Sequence, residues 1–362
     1  MTYAVATAHA IPTMTLEGGI VRSKEEMRHV TVIILAYGDE PLLPSSVRSA
    51  LASRDVVVEV ILVDNGSASV ATLDADPRLH ILTPGANTGF AGGCNLAAKA
   101  AHYDELVFVN SDLVVSEDAI SRLAARLDDD HVGLATGAVL LPGEPATVNS
   151  IGNPIHYLMF SWAGDYGEPF SAHDHEEDVA GICGGFFACR RELWRELGGF
   201  DEHYFAYAED VDLSLRARQL ATTIVFEPRA VGVHHYEFTK NNTKWFLLER
   251  NRLMNLLTLY DRRSRWLLLP VLLPVELGVL IAAVRGGWAR EKFASWRWLW
   301  RHRRYLRERG ERIAALKVDQ RGAWTNVLSG EMHIPGEFGL RVPSVANWVL
   351  GRYWRAVKSY VK

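Results

Sequence analysis

From His29 onward the chain alternates short apolar runs with longer segments of helical period, and this alternation restricts the fold more than any other feature. The runs Val30–Ala36 and Val58–Val63 are rich in β-branched residues and end in polar or glycine residues, as strands buried on both faces of a parallel sheet do. Between them, Pro41 to Ser53 carries apolar residues at helical spacing. The pattern predicts a further strand over 79–82, a helix over 91–101, a strand over 106–109, and a helix over 117–127 with Ser116 as its N-cap. Such a β-α-β-α series predicts an α/β fold with a doubly wound, mostly parallel sheet. In sheets of this kind ligands bind outside the carboxyl ends of the strands.

The residues at those ends are polar throughout: Tyr37-Gly38-Asp39-Glu40, Asp64-Asn65-Gly66-Ser67, Gly85-Ala86-Asn87-Thr88-Gly89 and Asn110-Ser111-Asp112. Loops favour Gly, Asn and Asp for their turn chemistry alone, yet here four successive strand ends converge on one crevice. No GxGxxG follows the first strand, Gly85, Gly89 and Gly92 have the wrong spacing for one, and there is no P-loop. The crevice therefore suits a nucleotide held by acidic and amide groups rather than by a glycine cradle. A pI near 6.4 argues against a nucleic-acid partner. Cys94, Cys183 and Cys189 are too few and too scattered for a disulfide framework or a CxxC metal site, and read as small core residues in a reducing compartment. Residues 1–28 lack a basic stretch followed by an apolar run and read as a loose lead-in without a signal peptide.

The segment from Gly184-Gly185 through Phe186 and Phe187 to Glu209-Asp210-Val211-Asp212 places acids at a helix start behind a glycine- and aromatic-rich stretch. Acids there complement the helix macrodipole, and Asp212 reads as helix-end chemistry alone. A carboxylate in that position is also suited to accept a proton.

Taken in order, Asp64, the Asn87 to Asn95 segment, Asn110-Ser111-Asp112, the Gly-Gly-Phe-Phe block, Glu209-Asp210 and His234-His235 resemble the family 2 inverting glycosyltransferases of GT-A fold. The likeness covers roughly residues 30 to 260 and is strongest to the rhamnosyltransferase and galactofuranosyltransferase branch. The resemblance implies that Asp64 holds the nucleotide base, with Ala36, Tyr37 and Glu40 closing around base and ribose, and Asn87 and Asn95 along the nucleotide and sugar. It implies that Asp112 and His234, with His235 as fallback, hold Mn²⁺ or Mg²⁺ against the diphosphate. The family's Asp-x-Asp reads Asn110-Ser111-Asp112 here, so only one of its two acids is present. Asp210 would be the base for an acceptor hydroxyl, with Glu209 orienting it. Arg250, or secondly Arg252, would grip phosphate oxygens. The implied enzyme is a hexosyltransferase that transfers a sugar, rhamnose from dTDP-rhamnose first and UDP-sugars next, to a lipid-linked glycan during cell-surface polysaccharide synthesis.

The last hundred residues differ in character. Trp266 to Val284 is a 19-residue apolar run interrupted by Pro270, Pro274 and Glu276, and Arg285 to Arg312 holds ten Lys or Arg and four Trp. This predicts three parts: the lead-in over 1–28, a GT-A domain over 29–262, and a helical basic and aromatic region over 263–362. Residues 266–312 would lie on the inner face of the cytoplasmic membrane, with Trp288, Trp296, Trp298 and Trp300 at headgroup depth and arginines on anionic lipid. The other reading of this region is a packed helical domain or homodimer interface. Two rival functions are a non-catalytic nucleotide-sugar-binding protein and a membrane scaffold on the same fold.

Overall fold

The computed structural model describes residues 27–143, 145–234, 242–316, 318, 322–333 and 342–361. The alternation read from sequence appears as β1 (Arg28–Gly38), α1 (Leu43–Leu51), β2 (Val56–Ser67), β3 (Leu79–Leu82), α2 (Gly89–Ala100) and β4 (Glu105–Asn110). Strands β3, β2, β1 and β4 lie side by side in that order and pair in parallel. Successive β1 residues enter opposite cores: Val30, Val32 and Ile34 pack under α1, while Ile33 packs beneath α2. Both faces of the sheet are thus covered, which is why β1 and β2 read as continuous apolar runs rather than alternating ones.

Beyond β4 come β5 (Leu113–Val115), α3 (Ala119–Ala125), β6 (Val132–Leu141), β7 (Thr147–Ser150), β8 (Glu177–Asp178), β9 (Phe186–Arg190), α4 (Arg191–Leu197), α5 (Glu209–Gln219) and β10 (Thr223–His234). The sheet continues from β4 through β9, β6 and β10 to β5, with β9 antiparallel to both neighbours and β6 parallel to β10. Ser116 does not cap α3. The helix starts later, after Asp118, whose carboxylate accepts from Ser116 Oγ instead. Phe186 and Phe187 are fully buried in β9, where Phe187 stacks on Phe108 at 4.3 Å, so these aromatics belong to the core.

The C-terminal part comprises α6 (Asn242–Leu259), α7 (Arg262–Arg285), α8 (Ala289–Arg301), α9 (Arg303–Leu316) and α10 (Ser344–Val357). The core does not divide at residue 262, because Val211 and Leu215 of α5 share one cluster with Leu256, Leu268, Ile313 and Trp354. Glu276, an interruption of the apolar run in sequence, faces inward. Its carboxylate takes Lys292 Nζ at 2.7 Å and also Arg252, and both of these bind Glu249, so one buried ionic network joins α6, α7 and α8. This placement uses Arg252 structurally, away from any phosphate. Trp288 is also internal, stacked on Trp245 at 4.7 Å, and is not available to headgroups, whereas Trp300 is 67% exposed.

Candidate active site

The approach to α5 is backbone under strain. Phe205, Tyr207 and Ala208 have φ of 63°, 71° and 62°, a left-handed region that non-glycine residues rarely occupy. Side chains from α6 hold this turn. Asn251 Nδ2 reaches Tyr204 O, Ala206 O and Tyr207 O at 3.1, 2.9 and 2.6 Å, and Arg250 Nη2 donates to His203 O and Tyr204 O at 2.6 and 2.7 Å. From the other side Ala91 N donates to Phe205 O at 3.1 Å, and a Cβ on Gly89 would lie 2.5 Å from that same oxygen. Here only glycine allows α2 to approach. The Arg250-Asn251 pair is therefore a clamp on the turn that delivers Glu209 and Asp210, and Arg250 is not placed as the expected grip on phosphate.

Asp210 Oδ2 accepts from Asn153 Nδ2 at 3.1 Å and Gly184 N at 3.3 Å, and Oδ1 accepts from Val211 N at 2.8 Å. Burial nonetheless raises Asp210 above the usual carboxylate range, against these donors. Burial and then the Asp210 charge push Glu209 up to about 8, and Glu209 Oε2 is buried with no hydrogen-bond partner among the described residues. The two acids thus differ in kind. Burial holds Glu209 toward its neutral form, while Asp210 has three hydrogen-bond donors that favour its charged form.

Gly184 and Gly185 separate this acid from the end of β4. A Cβ on Gly184 would sit 3.1 Å from Asp210 Cβ, and one on Gly185 would sit 2.8 Å from Asn110 Nδ2. Asn110 N also donates to Gly185 O at 2.9 Å. Two residues on, the antiparallel pairing of β5 with β10 sets His234 opposite Leu113 and hence beside Asp112. His234 Nε2 lies 2.9 Å from Asp112 Oδ1, and its Nδ1 lies 3.1 Å from Asn149 Oδ1. Nδ1–H can donate to Asn149 Oδ1, and a divalent cation in place of the proton shared between Nε2 and Asp112 would find one nitrogen and one oxygen ligand. Glu40 is close by: burial and then the Asp112 charge raise its carboxyl, and His234 opposes them. Among the described residues no set of three His, Cys, Asp or Glu could hold an ion unaided, so further ligands would have to be oxygens of the bound molecule.

The remaining candidates are placed as follows. Asp64 Oδ1 accepts from Gly66 N and Ser67 N, both at 2.9 Å, which orients the carboxylate at the end of β2. Tyr37 is 63% exposed, whereas Ala36 is fully buried and can offer a ligand only backbone. Asn87 Oδ1 closes a turn on Gly89 N at 2.8 Å. Asn95 is not on the nucleotide path: its amide donates to Phe200 O at 2.8 Å and accepts from Phe200 N at 3.0 Å. His235 lies outside the described residues.

Asp212 is more than helix-end chemistry. It is fully buried, accepts from Arg216 Nε at 2.8 Å, and pairs with Arg309 of α9, which also binds Asp201 Oδ2 at 2.6 Å. One guanidinium thereby joins the turn before α5, α5 itself and the C-terminal helices. Sequence reasoning missed Asn149, Asn153 and Arg309, none of which lies in a motif; Asn251 stands inside the Arg250-Asn251-Arg252 motif, but its role on the turn is set by the structure.

Residues 31–198 match the family model described as glycosyl transferase family 2. The O-antigen biosynthesis protein RfbC of Myxococcus xanthus is 31% identical over 218 residues, covering 56% of this chain and 17% of that protein. The N-acetylglucosaminyl-diphospho-decaprenol L-rhamnosyltransferase of Mycobacterium tuberculosis is 24% identical over 262 residues, covering 65% of this chain and 85% of that enzyme. The fold is similar to that of GalNAc-T7, solved with UDP, GalNAc and Mn²⁺, with a TM-score of 0.54 and 14% identity over 68% of this chain and 51% of that one. Residues 31–198 thus form a family 2 glycosyltransferase domain on a GT-A fold, with relatives that include a rhamnosyltransferase.

Proposed function

We propose that the protein is an inverting transferase that moves a sugar from a nucleoside diphosphate to a hydroxyl of a lipid-linked glycan in cell-surface polysaccharide synthesis, with dTDP-rhamnose as the donor. The observation that carries this reading is the pair of side-chain-free residues Gly184-Gly185, with Asp210 against one and the Asn110 to Asp112 turn against the other. A sugar lying over the glycines would have a carboxylate on one side and phosphate-binding groups on the other. The acceptor oxygen forms a bond to the anomeric carbon as the bond to the diphosphate oxygen breaks, and its proton passes to Asp210 Oδ. Asn153 and Gly184 N orient that carboxylate, and neutral Glu209 keeps a second negative charge away from it. Asp112 and His234 would hold a divalent cation, Mn²⁺ in preference to Mg²⁺, which supplies charge neutralisation to the departing diphosphate. The rhamnose assignment is supported by the printed activity of the Mycobacterium tuberculosis relative.

A lipid-linked acceptor agrees with the outer face of α7. Trp266, Leu273, Leu277, Ile281 and Val284 are exposed along that helix at spacings of seven, four, four and three residues, Arg262 and Arg285 end it, and Glu276 is turned inward. By length and composition the helix could cross a membrane. The packing of its other face on α6, α8 and α10 supports a helix lying on the cytoplasmic surface instead. The test is a thermal-shift panel of nucleoside diphosphate sugars with and without Mn²⁺, followed by Asp210→Asn. The expected result is stabilisation by the dTDP-sugar with Mn²⁺ and loss of transfer in the variant with donor binding retained. Equal turnover in Asp210→Asn would refute the assignment of the base.

A further inference from the structure

Away from Asp210, a groove of about 970 Å³ opens where the end of α6 and the start of α7 meet α8 and α9. Its floor is apolar, with Leu257, Leu299, Leu306 and Ile313. Four guanidinium groups line it, Arg262, Arg265, Arg303 and Arg307, and none of them forms an ion pair within 4.0 Å among the described residues. The lining also holds two acids, Asp261, which caps α7 by accepting from Ser264 N at 2.7 Å and whose charge also acts on Arg265, and Glu311, so positive charge is in excess. Trp266 and Trp300 also line the groove while 63% and 67% exposed, and Trp266 begins the apolar stripe of α7. Gln219 lines it too. That residue is 2% exposed, its amide nitrogen donates to Leu259 O at 3.4 Å, and its Oε1 is buried without a hydrogen-bond donor among the described residues. Gln219 ends α5, so with a helical rise of 1.5 Å per residue it lies about 13 Å from Asp210 along the helix.

A rim of four guanidinium groups against two carboxylates, an apolar floor, exposed indoles and a buried acceptor without a donor among the described residues are complementary to one kind of molecule. We propose that this groove is a headgroup site for an anionic phospholipid whose headgroup carries a hydroxyl, of the phosphatidylglycerol type. The phosphate meets the arginines, the hydroxyl donates to Gln219 Oε1, and the acyl chains run with the α7 stripe into the bilayer. The inference rests on the membrane-surface part of the proposed function and is independent of the transfer chemistry.

The test uses the full chain and vesicles of phosphatidylcholine alone or mixed with phosphatidylglycerol, read by flotation. The wild-type protein should prefer the mixed vesicles. Arg262→Gln/Arg303→Gln/Arg307→Gln, all exposed positions, should weaken that binding by about 10- to 100-fold, given the attraction expected per basic residue at an anionic surface. Arg290→Gln/Arg297→Gln/Arg301→Gln removes the same charge from α8 outside the groove and should cost about threefold or less if the site is local. Gln219→Leu should bind phosphatidate and phosphatidylglycerol vesicles equally. Equal losses in the two triple variants, or no wild-type preference for the anionic vesicles, would overturn the proposal. Donor thermal shifts should be unchanged in every variant, so a failed transfer assignment leaves the vesicle result intact. Free glycerol phosphate should not compete, because the apolar floor and stripe contribute to binding.

Discussion

Arg309→Met removes a single cation from the centre of three elements. Arg309 is 3% exposed, its Nε lies 2.6 Å from Asp201 Oδ2, and its other nitrogens bind Asp212 Oδ1 and Thr258 Oγ1. Breaking a buried ion pair from one side costs about 3–5 kcal/mol. The lower end applies, since Asp212 keeps Arg216 and Asp201 keeps the Tyr305 hydroxyl. At about 2–4 °C per kcal/mol for a larger domain, a cost of about 3 kcal/mol should lower the midpoint of thermal unfolding by about 6–12 °C. The pH dependence should change as well. Burial works to raise Asp201, but the Arg309 charge, the Tyr305 hydroxyl and the His203 N–H outweigh it and hold the carboxyl at about 2. A depressed acid adds stability above its unfolded value, near 4, that is lost as pH falls toward 2. Without Arg309, Asp201 should protonate at higher pH, so the acid unfolding limb moves upward. Asp201 precedes the strained turn and Asp212 lies two residues after Asp210, so the variant should also lose about 100-fold in kcat by misplacing the base, with donor KM changed about twofold or less. Calorimetry across pH 2–7 and steady-state kinetics with Mn²⁺ measure both. A midpoint within about 2 °C of wild type together with unchanged kcat would refute the idea that this arginine joins the C-terminal helices to the active site.

Three further outcomes follow from the same geometry. Asp112→Ala should abolish the extra stabilisation that Mn²⁺ gives to a donor complex, about 2.7 kcal/mol when ligand is at a hundred times its Kd, and an EDTA response equal to wild type would count against the Asp112–His234 pair. In Glu209→Gln the pH dependence should flatten. An acid raised to about 8 when folded binds its proton more tightly in the native state, so the wild-type protein loses stability as pH rises from the unfolded value toward 8, and the glutamine variant does not. Thermal midpoints at pH 5 and pH 8.5 test that sign, and the alkaline limb of kcat/KM should shift in parallel. Asn251→Leu strips the amide from the carbonyls of Tyr204, Ala206 and Tyr207. It should cost about 1–3 kcal/mol and lower kcat more than it raises donor KM, as measured by urea unfolding and kinetics.

The sheet and its ligand-bearing edge were legible in the chain because strand burial and helical period are local properties. Val30 to Ala36 cannot be a half-exposed strand, and Asp64 near the end of β2 and Asp112 just after β4 fall at strand ends wherever those strands lie. The glycines of Gly184-Gly185 were visible as a motif, although their purpose, contact with Asp210 on one side and Asn110 on the other, depends on two other elements. Tertiary structure alone decided the roles of charged and amide side chains. Arg250, Asn95 and Asp212 look like ligand or cap residues in a one-dimensional reading, but their partners are the turn at 203–207, the Phe200 backbone and Arg309. Glu276 resembled a break in a membrane segment until Lys292 and Arg252 were found on its inner side. The physical reason is common to all of these. A polar side chain takes its function from the groups that satisfy it after burial, and here those groups lie up to about a hundred residues away, where no local pattern records them.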